Sequence, residues 1–130
     1  MKVKDKDGNL IAIYLDLKNA KDYKNFYTEN SADMQFGVFN LPKSESILKH
    51  YHPEQKRVIK TTTEVLILMS GKMEVSLYDN SLEHIKNIIL QGGSVLITLT
   101  GGHGIEVLEE SKMIEIKQGP YDIDADKVRF

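Results

Sequence analysis

Turn signals recur so often along this chain that few segments between them could carry a long helix. Asp7-Gly8-Asn9, Leu41-Pro42, Ser70-Gly71, Asp79-Asn80-Ser81, Gln91-Gly92-Gly93 and Gly101-Gly102 are Gly, Pro, Asn or Asp clusters of the kind that interrupt regular structure. The intervals are rich in Val, Ile, Leu, Met and Thr and read as short strands. Lys2–Lys6 and Leu10–Leu15 are expected to pair as a hairpin across Asp7-Gly8-Asn9. Further strands are expected at Met34–Leu41, Ser46–His52, Val58–Thr61, Glu64–Ser70, Met73–Asp79, His84–Leu90, Val95–Leu99, Gly104–Leu108 and Met113–Lys117. Only Ala20–Phe26 reads as a helix, a brief one capped by Asn19. Many short strands at regular spacing with almost no helix predict an all-β antiparallel sandwich or barrel.

The 130 residues suit a single domain, long enough to bury roughly two thirds of the unfolded surface. With no cysteine, neither a disulfide framework nor a thiolate metal site is possible. Seventeen basic and nineteen acidic residues are mixed along the chain, with none of the basic clustering that nucleic-acid binding requires. No apolar run reaches the ~18 residues that span a membrane, and MKVKDKDGNL lacks the apolar core of a secretory signal. The expectation is a cytoplasmic protein with no nucleic-acid or membrane partner.

Chemistry concentrates in a spaced set of donors: His50-Tyr51-His52, then Glu64 six residues ahead of Gly71, then His103 behind Gly101-Gly102. Imidazoles with one carboxylate form a ligand set that Mn, Fe, Ni, Cu or Zn binds well. Residues i and i+2 share a face of a strand, so His50 and His52 would project side by side. Leu48, His50 and His52 would share one face, Glu64, Leu66 and Leu68 another, and His103, Ile105 and Val107 a third. Each stripe carries its polar donor at one end of an apolar row, the pattern of a metal at the mouth of an apolar barrel.

These residues resemble the two motifs of the cupins. The first motif is Gly, five residues, His-x-His, three or four residues, Glu, six residues, Gly. The second is Gly, five residues, Pro-x-Gly-x-x-His, three residues, Asn. His50-x-His52 and the span from Glu64 to Gly71 match the first, while Gly92 and His103 match the second. Position 44 is Ser where the motif has Gly, and eleven residues, PEQKRVIKTTT, separate His52 from Glu64, more than the motif allows. Thr98, Thr100 and Val107 replace the second motif's Pro, Gly and Asn. The resemblance implies a double-stranded β-helix (jelly-roll) barrel core over about residues 34–118. Residues 1–33 would add N-terminal strands and the short helix, and 119–130 a C-terminal tail. It also implies one divalent transition metal ion on His50, His52, Glu64 and His103.

A narrower resemblance involves Gly101-Gly102-His103-Gly104, Glu115-Ile116-Lys117-Gln118-Gly119-Pro120-Tyr121 and Asp126-Lys127-Val128-Arg129-Phe130. These runs look like those of small cupins found among bacterial surface-polysaccharide and sugar-modification genes, a resemblance that brings no single reaction with it. It implies an enzyme acting on a small polar or acidic metabolite, such as a sugar or sugar nucleotide, by isomerisation, epimerisation or oxidation. The alternatives are a non-catalytic binding or sensing module, and a metal-free cupin using His103 or His50 as a base.

The chain has only two arginines, Arg57 and Arg129. Each offers a fork suited to carboxylate or phosphate, and with Lys127 they are candidates for holding an acidic small-molecule ligand. His84 and Glu106 read as solvated. The aromatic N-terminal third, Tyr14 through Phe39, and strands apolar on both faces predict a homodimer that covers exposed sheet edges.

Overall fold

The computed structural model describes residues Met1 to Phe130. Its strands are β1 Lys2–Lys4, β2 Leu10–Asp16, β3 Lys24–Phe26, β4 Gly37–Phe39, β5 Glu64–Tyr78, β6 His84–Gln91, β7 Ser94–Thr98 and β8 Gly102–Lys117. Six of them form one antiparallel sheet, and β3 pairs with β4 as a separate hairpin. The chain is therefore all-β, as its turn signals imply, and neither sheet closes on itself.

β5 organises the main sheet. Along one edge it pairs first with β7 (Glu64–Leu68) and then with β6 (Lys72–Tyr78). Along the other edge β8 follows it from Glu64↔Lys117 to Tyr78↔Gly102. The two ends of β5 are tied by the chain itself, because Glu64 pairs with Thr98 and Tyr78 with Gly102. Fifteen extended residues span roughly 50 Å, whereas the four-residue step from Thr98 to Gly102 covers at most about 15 Å. β5 must therefore fold over on itself.

The fold-over lies at Ser70-Gly71. Gly71 has φ +86°, and a Cβ there would sit 2.2 Å from the Glu110 carbonyl oxygen, so only glycine fits. Ser111 Oγ accepts a hydrogen bond from the Lys72 amide at 3.1 Å and donates to the Glu109 carbonyl at 2.7 Å, fastening β8 around the same corner. The in-line strands β6 and β7 break at this level too, where the Gly93 amide donates to the Leu68 carbonyl at 2.8 Å. Register shifts between Leu68 and Met73 move the inward-facing phase from Leu66 and Leu68 to Met73, Val75 and Leu77.

The resulting concave face buries Leu66, Leu68, Met73, Val75, Leu77, Ile88, Leu90 and Leu96 with Val3 and Ala12. A smaller cluster of Ile13, Val65, Val95 and Ile97 fills the opposite face of β2, β5 and β7, covered by Tyr27, Met34 and Phe36. Each fully buried Leu or Ile contributes about 1.5–3 kcal/mol from removal of apolar surface. β5 is thus covered on both faces along its first half, which accounts for its uninterrupted apolar run.

Several local expectations need correction. The helix over Ala20–Phe26 does not form: a 3-10 turn occupies Leu17–Asn19, and Lys24–Phe26 is strand β3. Asp16, one turn earlier than Asn19, is the cap; its carboxylate accepts from the Lys18 amide at 3.0 Å and the Asn19 side-chain amide at 2.8 Å. Seven residues alone cannot repay helix nucleation. The strand pairs at Glu64–Ser70/Met73–Asp79 and at Gly104–Leu108/Met113–Lys117 merge into β5 and β8, since their breaks are bends and bulges rather than chain reversals. Met34–Leu41 shortens to β4. Ser46–His52 and Val58–Thr61 form no strand, and every residue from 41 to 62 is exposed. Leu48 is the sole large apolar residue on its stripe, too little to offset the entropy of ordering that segment on its own.

Candidate functional site

The folding over of β5 brings its first residue, Glu64, to the start of β8. Gly101 makes the entry to β8 possible: its φ is +79°, and a Cβ would stand 2.2 Å from the Tyr78 carbonyl oxygen. Two residues on, His103 lies opposite Leu77, with its side chain on the concave face. Glu64 shares that face with Leu66 and Leu68. His103 Nε2 donates to Glu64 Oε2 at 3.1 Å, with both side chains mostly withdrawn from solvent.

That hydrogen bond holds the Glu64 carboxyl below its ordinary range, against the opposing effect of burial. The charges of His103, Lys117 and Lys127 act in the same direction as the bond. The result is an ionised, anchored carboxylate that fixes the orientation of one imidazole. In its neutral form an imidazole that donates through Nε2 keeps its lone pair on Nδ1.

The pair stands in a cavity of about 550 Å³ whose walls include Tyr78, Thr98 and Thr100. The other wall is the C-terminal tail, residues Asp126 to Phe130, which brings Lys127 and Arg129 to the same cavity. Three contacts hold the tail there. Lys117 Nζ is ion-paired with Asp126 Oδ2, the Lys117 ammonium lies 5.1 Å from the centre of the Tyr121 ring, and Phe130 meets Tyr78 edge to face.

Of the sequence-derived candidates, Glu64, His103, Lys127 and Arg129 line one cavity, while His50, His52 and Arg57 lie on the exposed segment 41–62. The His50 and His52 rings face each other with centroids 5.3 Å apart, and His50 Nδ1 is 2.9 Å from the Leu48 carbonyl oxygen. No group of three or more His, Asp or Glu side chains comes within reach of one ion. Glu64 and His103 supply one carboxylate and one imidazole, donors of the kind transition metals bind.

The Phe130–Tyr78 contact and the pairing of Lys117 with Asp126 are not legible in the sequence. Their placement depends on the fold-over of β5 and the path of the tail, which carry no periodic signal. Thr98 and Thr100 entered only as departures from the second motif of the resemblance. Gln118 adds another feature: its Oε1 accepts from the buried Thr63 amide at 2.7 Å, while its Nε2 is buried without a partner. An orphan donor of this kind costs about 1–3 kcal/mol.

No helix is long and apolar enough to cross a membrane. No protein-family model, curated protein sequence or solved structure matches the chain.

Proposed function

We propose that this chain is a cupin-type enzyme that moves a proton on a small acidic sugar or sugar derivative, using Glu64 and His103 as its chemical centre. The observation that carries the reading is the Nε2–Oε2 hydrogen bond of 3.1 Å in a cavity also lined by Lys127 and Arg129. A carboxylate-oriented imidazole with a free Nδ1 is the arrangement of a general base. Proton removal from a carbon beside a carbonyl sends the electron pair to the carbonyl oxygen. The Lys127 and Arg129 cations stabilise that developing charge. Return of the proton to the other face gives epimerisation; return to the former carbonyl carbon, with the adjacent hydroxyl proton passing to the former carbonyl oxygen, gives keto-sugar isomerisation.

The finer architecture in this reading is a jelly roll completed by residues 46–52 on the open edge of β8. β8 pairs only with β5, and Ile105 and Val107, on the same face as His103, are 40% and 58% exposed. An uncovered apolar edge of this length invites another strand. Residues 42–62 carry five cations against two carboxylates, and β8 carries four carboxylates against two lysines, so the two attract. The orphan Gln118 Nε2 would find a backbone carbonyl in the segment leading to Thr63. Docked there, His50 and His52 would join the cavity as further proton carriers.

The adjacency of His50 and His52 supports a second reading, in which the docked pair with Glu64 and His103 holds one divalent transition metal. A homodimer, with the free edge of β1 paired to a second copy, also belongs to the proposal; light scattering that gives a monomer mass at tens of micromolar counts against it. Calorimetry against sugar phosphates, uronic acids and neutral sugars tests the main reading. Binding confined to the acidic classes supports it, and equal affinity for neutral sugars overturns it.

A further inference from the structure

The tail wall of the cavity raises a question of control: what keeps Lys127 and Arg129 at the pocket when residues 121–130 are almost entirely exposed? Their exposure leaves little apolar burial to hold them. The exception is Asp126, whose side chain is only 10% exposed, and its partner Lys117 is 17% exposed. Lys117 is the last residue of β8 and the direct cross-strand partner of Glu64. Its ammonium also sits over the Tyr121 ring and 3.9 Å from Glu115 Oε1. One side chain thus touches β8 and both limbs of the tail, next to the chemical centre.

We infer that Lys117 and Asp126 form a clamp that positions the tail cations for an anionic ligand, a role resting on the proposed acidic-ligand cavity. Lys117 is a positioning residue here: it fixes Asp126, and Asp126 fixes the register of Lys127 and Arg129, one and three residues on. The backbone cooperates, because the Asp126 amide donates to the Asp122 carbonyl at 2.8 Å and the Asp124 amide to the Asp122 carboxylate at 3.0 Å. Those bonds close a compact turn that the Lys117–Asp126 pair ties to the end of β8.

Asp126→Asn separates the clamp from plain electrostatics by sign. Removing a negative charge at the cavity should strengthen anion binding if charge alone mattered. With the clamp broken, Lys127 and Arg129 lose their positions and binding weakens instead. Inorganic phosphate is the probe, titrated by calorimetry into the full chain, with tail order followed by backbone 15N relaxation over residues 121–130. The expected result is a Kd raised about tenfold in Asp126→Asn and Lys117→Met, retention within about twofold in Lys117→Arg, and a mobile tail in the first two. Unchanged or tighter phosphate binding in Asp126→Asn overturns the clamp. If the parent chain binds no phosphate while Asp126→Asn still frees the tail, the acidic-ligand reading falls and the tail attachment stands. An ordered tail in both Asp126→Asn and Lys117→Met overturns the attachment itself.

Discussion

Phe130 meets Tyr78 edge to face, with ring centroids 5.1 Å apart and planes at 88°, so the end of the tail is seated on the last residue of β5. The same Phe130 ring packs against the backbone of Gly102 at the start of β8. This contact puts Arg129 at the cavity beside His103. Phe130→Ala should weaken binding of an acidic sugar by about tenfold, a loss of about 1.4 kcal/mol. Its effect on global stability should be smaller, because the ring is 66% exposed. Thermal melts and calorimetry on the same preparations check the contrast.

Acid stability should report on Glu64. Its folded-state pKa lies below the ordinary 4.5, chiefly through the His103 hydrogen bond. A depressed carboxyl contributes stability that is fully present above the unfolded value and lost as pH falls through the folded one. The stability difference between the parent chain and Glu64→Gln should therefore shrink as pH drops from about 6 to 3. Urea unfolding at several pH values measures it, and a constant difference would mean that the hydrogen bond does not bias the carboxyl.

Backbone geometry makes opposite predictions at two positions. Gly101→Ala meets both a positive φ and a 2.2 Å contact with the Tyr78 carbonyl, so it should cost at least about 2 kcal/mol and displace His103. Ser44, where the cupin motif has Gly, has φ +73°. Ser44→Gly relieves that strain and should be stabilising by up to about 1 kcal/mol, less the added freedom of the unfolded chain. Denaturant midpoints for the two variants should move in opposite directions.

The metal reading has its own test in His52→Ala. Elemental analysis of protein purified without an affinity tag should find near-stoichiometric transition metal in the parent chain and at least about tenfold less in the variant. Equal and negligible metal in both leaves the side-chain acid–base reading and removes the metal one.

The residues themselves announced much of this arrangement. The spacing from Glu64 to Gly71 and the glycines before His103 marked both members of the central pair and the corner that joins them. The narrower resemblance carried by Asp126–Phe130 drew attention to the tail. The continuity of β5 was hidden because Ser70-Gly71 has the composition of a hairpin turn, and a bend within one strand uses the same residues. Asn19 drew the cap one turn too late because Asp16 sits at the end of a strand, where a capping carboxylate looks like an ordinary edge charge. His50 and His52 would share a face by strand period, but the exposed segment 41–62 forms no strand, an outcome no local pattern specifies. The Lys117–Asp126 pair, nine residues apart across an irregular turn, has no periodic signature at all.

Proton transfer by the Glu64–His103 pair is most directly tested by deuterium uptake. Keto-sugar phosphates and nucleotide-linked keto sugars incubated with the protein in heavy water should gain one deuterium beside the carbonyl, read by mass spectrometry, and His103→Asn should abolish the gain while the protein stays folded. No uptake with any acidic keto sugar, or uptake undiminished in His103→Asn, would contradict the assignment of this pair as the chemical centre.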